Sequence, residues 1–444
     1  MALVLFNTLT GEKEQLRPVH DREVRTYHCG PTVHDFAHVG NFRSSIIYDI
    51  LRRTLEYAGY HVEQVMNITD IDDKTIKRSQ EEGVPLSSLT LRYENYFLAD
   101  LRHLNIKVPE HLPHATHHIG GMVVIIEKLL RDGFAYKADD GIYFDITKSK
   151  GYGTLAGIKL ESETQSRISN DEYDKKNVRD FALWKFWTET DGENGFDASF
   201  GRGRPGWHIE CSAMAMSKLG ETIDIHSGGV DLIFPHHTNE IAQSEAVTGK
   251  KFVNNWLHIE FLMVDGQKMS KSLGNFITIR NIVERGFSPI AYRYFVLGAH
   301  YRTKANFTWE ALAGAQTALQ RLKDHMGPEV GEEDADYRQQ FLECILDDLD
   351  MPRALALAWE VAKDQNLSLA TRTATLLDFD RVLGLGLKPQ KIVEVPDEIK
   401  QLVAERTEAR QAKNWAKSDE LRDKINDLGW VVLDTESGPR ISRK

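Results

Sequence analysis

Cysteine is scarce in this chain, with three residues at positions 29, 211 and 344 among 444. So few cannot form a disulfide-stapled secreted framework, and in a reducing compartment they serve as core thiols or metal ligands. Long hydrophobic runs are also missing. The longest apolar stretch, MVVIIEKLL from Met122 to Leu130, is broken by Glu127 and Lys128 and stops far short of the roughly 20 residues a membrane-crossing helix needs. The opening MALVLFNTLTGEKEQLRP has neither the charged and apolar regions of a secretory signal nor the acid-poor character of a transit peptide. A soluble, cytoplasmic protein with no membrane partner is expected. Positive charge is in deficit, with a formal net charge of −11, which argues against indiscriminate nucleic-acid binding but permits a local basic face for one particular RNA. Internal repeats and low-complexity tracts are absent.

What is present suffices for several domains. A hydrophobic fraction of 41% and a charged fraction of 27% are ordinary for globular proteins. REVRTYHCG reads as a short strand ending at Gly30. NFRSSIIYDILRRTLEYAG then sets Ile46, Ile47, Ile50, Leu51, Thr54 and Leu55 on one helical face, with Gly59 as the stop. HVEQVMNIT supplies the next strand, so residues 22–70 form a β-α-β unit, the first half of a Rossmann-type, doubly wound parallel α/β sheet. A second half starts at TIDIHSGG, a strand running into Gly228 and Gly229, and continues with a helix over PHHTNEIAQSEAVTG and a strand over NWLHIEFLMV.

The expected organisation is a catalytic domain over 1–265, split by an inserted subdomain of mixed helix and turn at about 80–200. A loop and stem-contact region at 266–310 follows, then a helical bundle at 311–386 and a small C-terminal α/β module at 387–444. In that module the sequence predicts one charged helix from about Glu398 to Leu428 and a hairpin over WVVLDTESGPRISRK.

Two clusters carry chemistry. His236 and Glu240 are four apart on a predicted helix, as are Trp207 and Cys211, and Cys29 ends the first strand. The two halves of the sheet would then gather two sulfurs, an imidazole and a carboxylate, a mixture that zinc accepts and that magnesium and calcium do not favour. The residues alone leave open the plainer alternative of buried thiols and surface histidines. Cys344, inside FLECIL, takes that alternative. CGPTVHDFAHVGNFR places His38, Gly40 and Asn41 at a strand-to-helix turn, where backbone N–H groups face anions and Gly40 permits close approach. QKMSKSLGN adds Lys268, Ser270, Lys271 and Ser272 on a glycine-bounded loop. It is either a charged surface loop or a cationic clamp for a pyrophosphate leaving group.

In this order across a split Rossmann sheet, these stretches resemble the cysteinyl-tRNA synthetases, a class I aminoacyl-tRNA synthetase family. The resemblance runs from LFNTLTGEKE through CGPTVHDFAHVGN, NITDIDDKTIKR, ATHHI, RPGWHIECSAM, GGVDLIFPHH, KMSKSLGN and HYRTKANFT, and more loosely into the C-terminal helices. HVGN looks like the family's form of the HIGH signature, and KMSKS matches the second signature letter for letter. The resemblance implies a monomer that activates L-cysteine with Mg2+ and ATP and transfers it to the 3′-terminal ribose of tRNA(Cys). It also implies one zinc per chain on Cys29, Cys211, His236 and Glu240. By the same resemblance Gly30, Thr32, Gly40, Thr69, Trp207, Gly228, Gly229, Asp231, Ser270 and Ser272 border the cysteine and ATP pocket, and His38, Asn41, Lys268 and Lys271 act on the phosphates. The tail is expected to read the anticodon, although ISRK lacks the tryptophan many relatives carry there. His34 stands where relatives usually have tyrosine, Asn41 replaces the last histidine of HIGH, and Thr238 takes a position often held by glutamate. The nearest alternative is a cysteine ligase with an amino-sugar acceptor, which lacks the glutamate ligand and the tail. A non-catalytic, zinc-stabilised RNA-binding protein would need neither signature.

Overall fold

β-branched and apolar residues make Glu23–His28, His61–Met66, Ile223–Gly229 and Val253–Ile259 the strands of one parallel sheet. Their spatial order is Val253–Ile259, Ile223–Gly229, Glu23–His28, His61–Met66. The chain leaves Glu23–His28 in one direction and returns on its other side, so the carboxyl ends of the two central strands flank a switch point, where such sheets bind ligands. These strands belong to a computed structural model that describes residues 2–158, 167–168, 179–270, 273–389, 395–435 and 438–443. It divides into two compact units, Met1–Met326 with Gly331–Lys388, and Gly327–Val330 with Pro389–Lys444.

The helix Val39–Tyr57 buries Ile46, Ile47, Ile50, Leu51, Thr54 and Leu55, the face foreseen from the spacing, and Val39 and Phe42 besides. Its second turn is tied down by Arg43, whose buried guanidinium donates to the Phe261 carbonyl at 2.6 Å and to the Thr303 carbonyl at 2.5 Å. The helices Trp309–Asp324, Ala335–Leu346, Met351–Lys363 and Leu369–Leu383 join the same apolar core, which runs from Leu3 to Leu387. A short strand, Val4–Asn7, fastens to both regions. The Phe6 N–H donates to Asp348 Oδ1 at 2.9 Å, and the Trp256 N–H donates to Asn7 Oδ1 at 3.1 Å.

Four expectations need correction. The first strand ends at His28, so Cys29 and Gly30 open the following loop. The inserted segment is more than helix and turn: Ala135–Lys137, Gly141–Phe144, Asp180–Phe186 and Gly203–Pro205 pair antiparallel, with Arg167–Ile168 parallel to Asp180–Phe186. Strands this short give little periodic signal. NWLHIEFLMV is two strands, and the second, Leu262–Val264, pairs with Gln267–Lys268 and Ala305–Phe307 instead of with the parallel sheet. Its hairpin turns on Asp265 and Gly266, both at positive φ (49° and 75°), the conformation an Asp-Gly turn favours.

The charged helix of the C-terminal unit is likewise two helices, Asp397–Gln411 and Trp415–Asp427. Lys413 at φ 57° breaks the winding, and the Asn414 side chain caps the second helix on the Lys417 N–H. These helices and the hairpin Trp430–Thr435/Gly438–Arg443 share a separate core around Leu402, Leu421, Ile425 and Trp430. Among the described residues no helix is long and apolar enough to cross a membrane.

Candidate active site

A cavity of about 530 Å³ opens at the carboxyl ends of the parallel strands. Its walls include Cys29, Gly30, Thr32, His38, Gly40, Asn41, Thr69, Trp207, Cys211, Gly229, Asp231, His236 and Lys268. Of the remaining candidates, Gly228 lies beneath this surface, Glu240 is buried behind it, and Lys271 and Ser272 fall outside the described residues. Ser270 lies off the wall and organises its loop, with its N–H donating to Asn275 Oδ1 at 2.8 Å and its hydroxyl accepting from the Leu273 N–H at 3.3 Å.

The loops after the two adjacent strands interlock. The Gly30 N–H donates to Asn67 Oδ1 at 2.9 Å, the Thr69 N–H to the Pro31 carbonyl, and the Val33 N–H to the Thr69 carbonyl, both at 3.1 Å. A Cβ at Gly30 would sit 1.8 Å from the Asn67 carbonyl oxygen, a backbone atom that cannot swing away. Gly30→Ala is therefore expected to lower the unfolding free energy by about 3 kcal/mol, the upper range for overpacking. An unchanged urea midpoint would refute this.

His38 and Asn41 form a reciprocal cap at the start of the helix Val39–Tyr57. The Asn41 N–H donates to His38 Nδ1 at 3.2 Å, and the His38 N–H donates to Asn41 Oδ1 at 3.0 Å. A neutral imidazole that accepts at Nδ1 carries its proton on Nε2, so His38 is set as a donor. The Asn41 side chain acts on His38 and its own helix, a role the sequence did not reveal. Lys268, delivered by the Asp-Gly hairpin, holds its ammonium 5.0 Å from the centre of the Phe261 ring.

At the cavity floor, ligand atoms of Cys29, Cys211, His236 and Glu240 all lie within 4.8 Å of one another. Cys211 is one turn beyond Trp207 on the helix Trp207–Leu219, as the spacing predicted. The helical segment Ile233–His237 that carries His236 is kinked at Phe234, extended (φ −140°, ψ 133°) ahead of Pro235, and runs on into the helix Thr238–Thr248. A residue before proline is driven out of the helical region, so the Phe-Pro pair was the signal for this break. His236 Nε2 still lies 3.1 Å from Glu240 Oε1 and 3.4 Å from Cys211 Sγ. The Trp207 ring packs against the His236 ring at 4.2 Å.

The electrostatics favour an anionic Glu240 and Cys211, whereas burial and the neighbouring Cys211 push the Cys29 thiol well above its ordinary value. Burial opposes charge on Glu240, but His226 and His236 beside it hold its carboxyl at about 2. Burial likewise raises the Cys211 thiol, and the Cys29 hydrogen bond with the His236 charge outweighs it, bringing the thiol to about 6. Burial pushes His236 down, and Cys211 with Glu240 lift it to about 10. Glu240 Oε1 is buried without a hydrogen bond of proper geometry, despite its ion-pair distance to His236. A buried carboxylate oxygen aimed among two sulfurs and an imidazole is the donor set a zinc ion fits.

Further histidines surround this floor, with no periodic signal in the sequence to mark them. His226 Nε2 lies 3.0 Å from Glu240 Oε2, and His237 Nε2 lies 3.2 Å from Cys29 Sγ. Cys29, His226, His237 and Glu240 form a second set of ligand atoms within the same 4.8 Å limit. Burial and the neighbouring His226 and His258 keep His237 far below the ordinary imidazole range, so it is neutral.

Comparison with known proteins places the chain in a family. The family model described as tRNA synthetases class I (C) catalytic domain matches residues 15–317, and the cysteinyl-tRNA ligase anticodon binding domain model matches residues 393–439. A cysteine–tRNA ligase of Chlamydia caviae is 44% identical over 466 residues, covering 99% of this chain and 98% of the relative. The chain belongs to the cysteine–tRNA ligase family. A second member, from Brachyspira hyodysenteriae, is 44% identical over 471 residues, covering 100% of this chain and 99% of its own. As a member of that family the chain is an aminoacyl-tRNA synthetase, an enzyme of class I. Its fold likeness extends to the Mycobacterium tuberculosis methionyl-tRNA synthetase in complex with methionyl-adenylate, with a TM-score of 0.56 and 15% identity over 82% of this chain and 90% of that one.

Proposed function

We propose that this ligase forms cysteinyl-adenylate and pyrophosphate from L-cysteine and Mg-ATP, then passes the cysteinyl group to the 3′-terminal ribose of tRNA(Cys). The observation that carries the proposal is the floor of the cavity, where Cys29, Cys211, His236 and Glu240 converge under the capped helix start at His38. A zinc ion on those four side chains supplies a soft Lewis acid that favours the thiolate form of the substrate. Serine offers a harder oxygen of much higher pKa, so the same four ligands reject it. A site built on one strong polar contact discriminates by roughly 10⁴–10⁵ without editing.

The protein's own groups do the rest. Gly30, Thr32, Thr69, Trp207, Gly229 and Asp231 line the cavity, and in this proposal they form the cysteine and adenosine pocket. His38 Nε2–H, Lys268 and Lys271 stabilise the charge that grows on the phosphates as the cysteine carboxylate attacks the α-phosphorus, and no protein nucleophile is needed. Residues 387–444 read the anticodon, and the enzyme works as a monomer in the cytoplasm.

Charging of total tRNA with labelled cysteine and ATP, run beside cysteine-dependent ATP–pyrophosphate exchange, tests the proposal. Both activities are expected. Exchange without charging would move the acceptor away from tRNA, and absence of both would overturn the proposal.

A further inference from the structure

With cysteine and ATP placed as proposed above, one wall of the cavity has no role. It is built by Phe36, from the loop after Glu23–His28, and by Tyr93 and Lys74, from the helices Leu86–His103 and Asp73–Glu82. The wall is fixed in place. Val33 and Ile68, from the interlocked loops, pack with Leu89 and Tyr93 in a small core against which Phe36 rests. Phe36 meets the edge of Tyr93 at 5.4 Å and leans on Tyr96 at 4.8 Å. Tyr96, three residues beyond Tyr93 and so on the same helical face, is 46% exposed. The Arg92 guanidinium covers the Tyr93 ring at 5.0 Å. A rigid, partly exposed group of rings continuous with a polar cavity is a platform on which nucleobases stack whatever their identity.

We propose that Phe36 and Tyr96, held in place by the buried Tyr93, stack the unpaired base at the 3′ end of the RNA acceptor, setting its ribose against the adenylate. The proposal rests on the function argued above. Three observations select this occupant over an apolar peptide or a second protein. Phe36 and Tyr93 line the cavity that holds the reacting groups, and Tyr96 adjoins it through Phe36. Lys74 in the same wall supplies charge complementary to a phosphodiester. Of the three substrates of the proposed reaction, only the RNA end remains to be seated.

The experiment uses the full-length chain and a tRNA(Cys) transcript, and compares Tyr96→Ala and Tyr96→Phe with the parent in two assays. In cysteine-dependent pyrophosphate exchange both variants are expected to match the parent. In single-turnover transfer from preformed adenylate, Tyr96→Ala is expected to be slower by about tenfold, the scale for losing one base–aromatic stack. Tyr96→Phe, which keeps the ring, is expected to stay within about twofold. A transcript whose terminal nucleotide lacks its base should slow the parent similarly and slow Tyr96→Ala no further, because the two changes remove one contact. Equal losses in exchange and transfer would assign the ring to the ATP and cysteine side or to the fold. Unchanged transfer, or additive losses with the abasic transcript, would show that no stacking occurs there. Each of these overturns the proposal. No exchange by the parent chain would instead overturn the ligase reaction and the stacking site with it.

Discussion

His38→Asn is expected to slow adenylate formation by about 10²–10³, the scale for losing one donor to transition-state charge, while leaving the fold intact. The choice of asparagine separates two duties that share one side chain. His38 Nδ1 accepts the Asn41 N–H and caps the helix, and asparagine is among the best capping residues. What asparagine lacks is the Nε2–H on the far side of the ring. His38→Ala removes both, so it is expected to show the same kinetic loss together with about 1 kcal/mol of stability, the typical cost of a lost cap. Single-turnover adenylation in rapid quench, with a urea melt of each variant, separates the effects. An unchanged adenylation rate in His38→Asn would remove His38 from the chemistry and leave it a structural cap.

The second large effect concerns the metal ligands. Cys29 and Glu240 belong to both candidate donor sets, whereas Cys211 and His236 belong to one. Cys29→Ala is therefore expected to purify with less than about a tenth of an equivalent of zinc, because it leaves only three ligands in either set and removes a thiolate, the softer kind of donor. Its preference for cysteine over serine should fall by about 10³ or more, most of the discrimination one strong polar contact provides. Cys211→Ala leaves Cys29, His226, His237 and Glu240 together. It is expected to keep more zinc than Cys29→Ala and still to lose selectivity, because the ion would sit away from the cavity wall that Cys211 and His236 form. Elemental analysis and exchange with each amino acid test this. Equal zinc in Cys29→Ala and the parent would exclude Cys29 as a ligand.

Local signals made much of this molecule legible from sequence. The strand, helix and strand around His38 are adjacent in the chain, and the helical face from Ile46 to Leu55 is written in its spacing. Cys211 follows Trp207 by one turn, and Glu240 follows His236 by four residues. The failures are non-local or turn on single residues. Pairing in the inserted sheet joins short strands across long gaps, as between Ile142 and Trp184. Lys413 interrupts a charge pattern that otherwise reads as one helix. His226 and His258 sit in buried strands, where a lone histidine has no periodic partner to mark it. Their roles emerge only when the second half of the sheet returns beside the first. Lys271 and Ser272 lie outside the described residues, so the second half of the lysine loop rests on sequence alone.

The strand Val4–Asn7 bears on how the chain is made. Phe6 completes its hydrogen bonding on Asp348, 342 residues later, and Asn7 on Asn254 and Trp256. At roughly 5–20 residues per second of synthesis, the strand waits about 20–70 s on the ribosome before its last partner exists. The parallel sheet is also incomplete until Val253–Ile259 emerges. The hairpin Val4–Asn7/Glu12–Gln15 bridges that interval, because its own pairing, from Val4 with Gln15 to Asn7 with Glu12, needs no later residue. Closing so long a loop costs entropy that later contacts must repay, and a nascent chain stalled short of Asp348 holds an N-terminal strand still lacking its final partner.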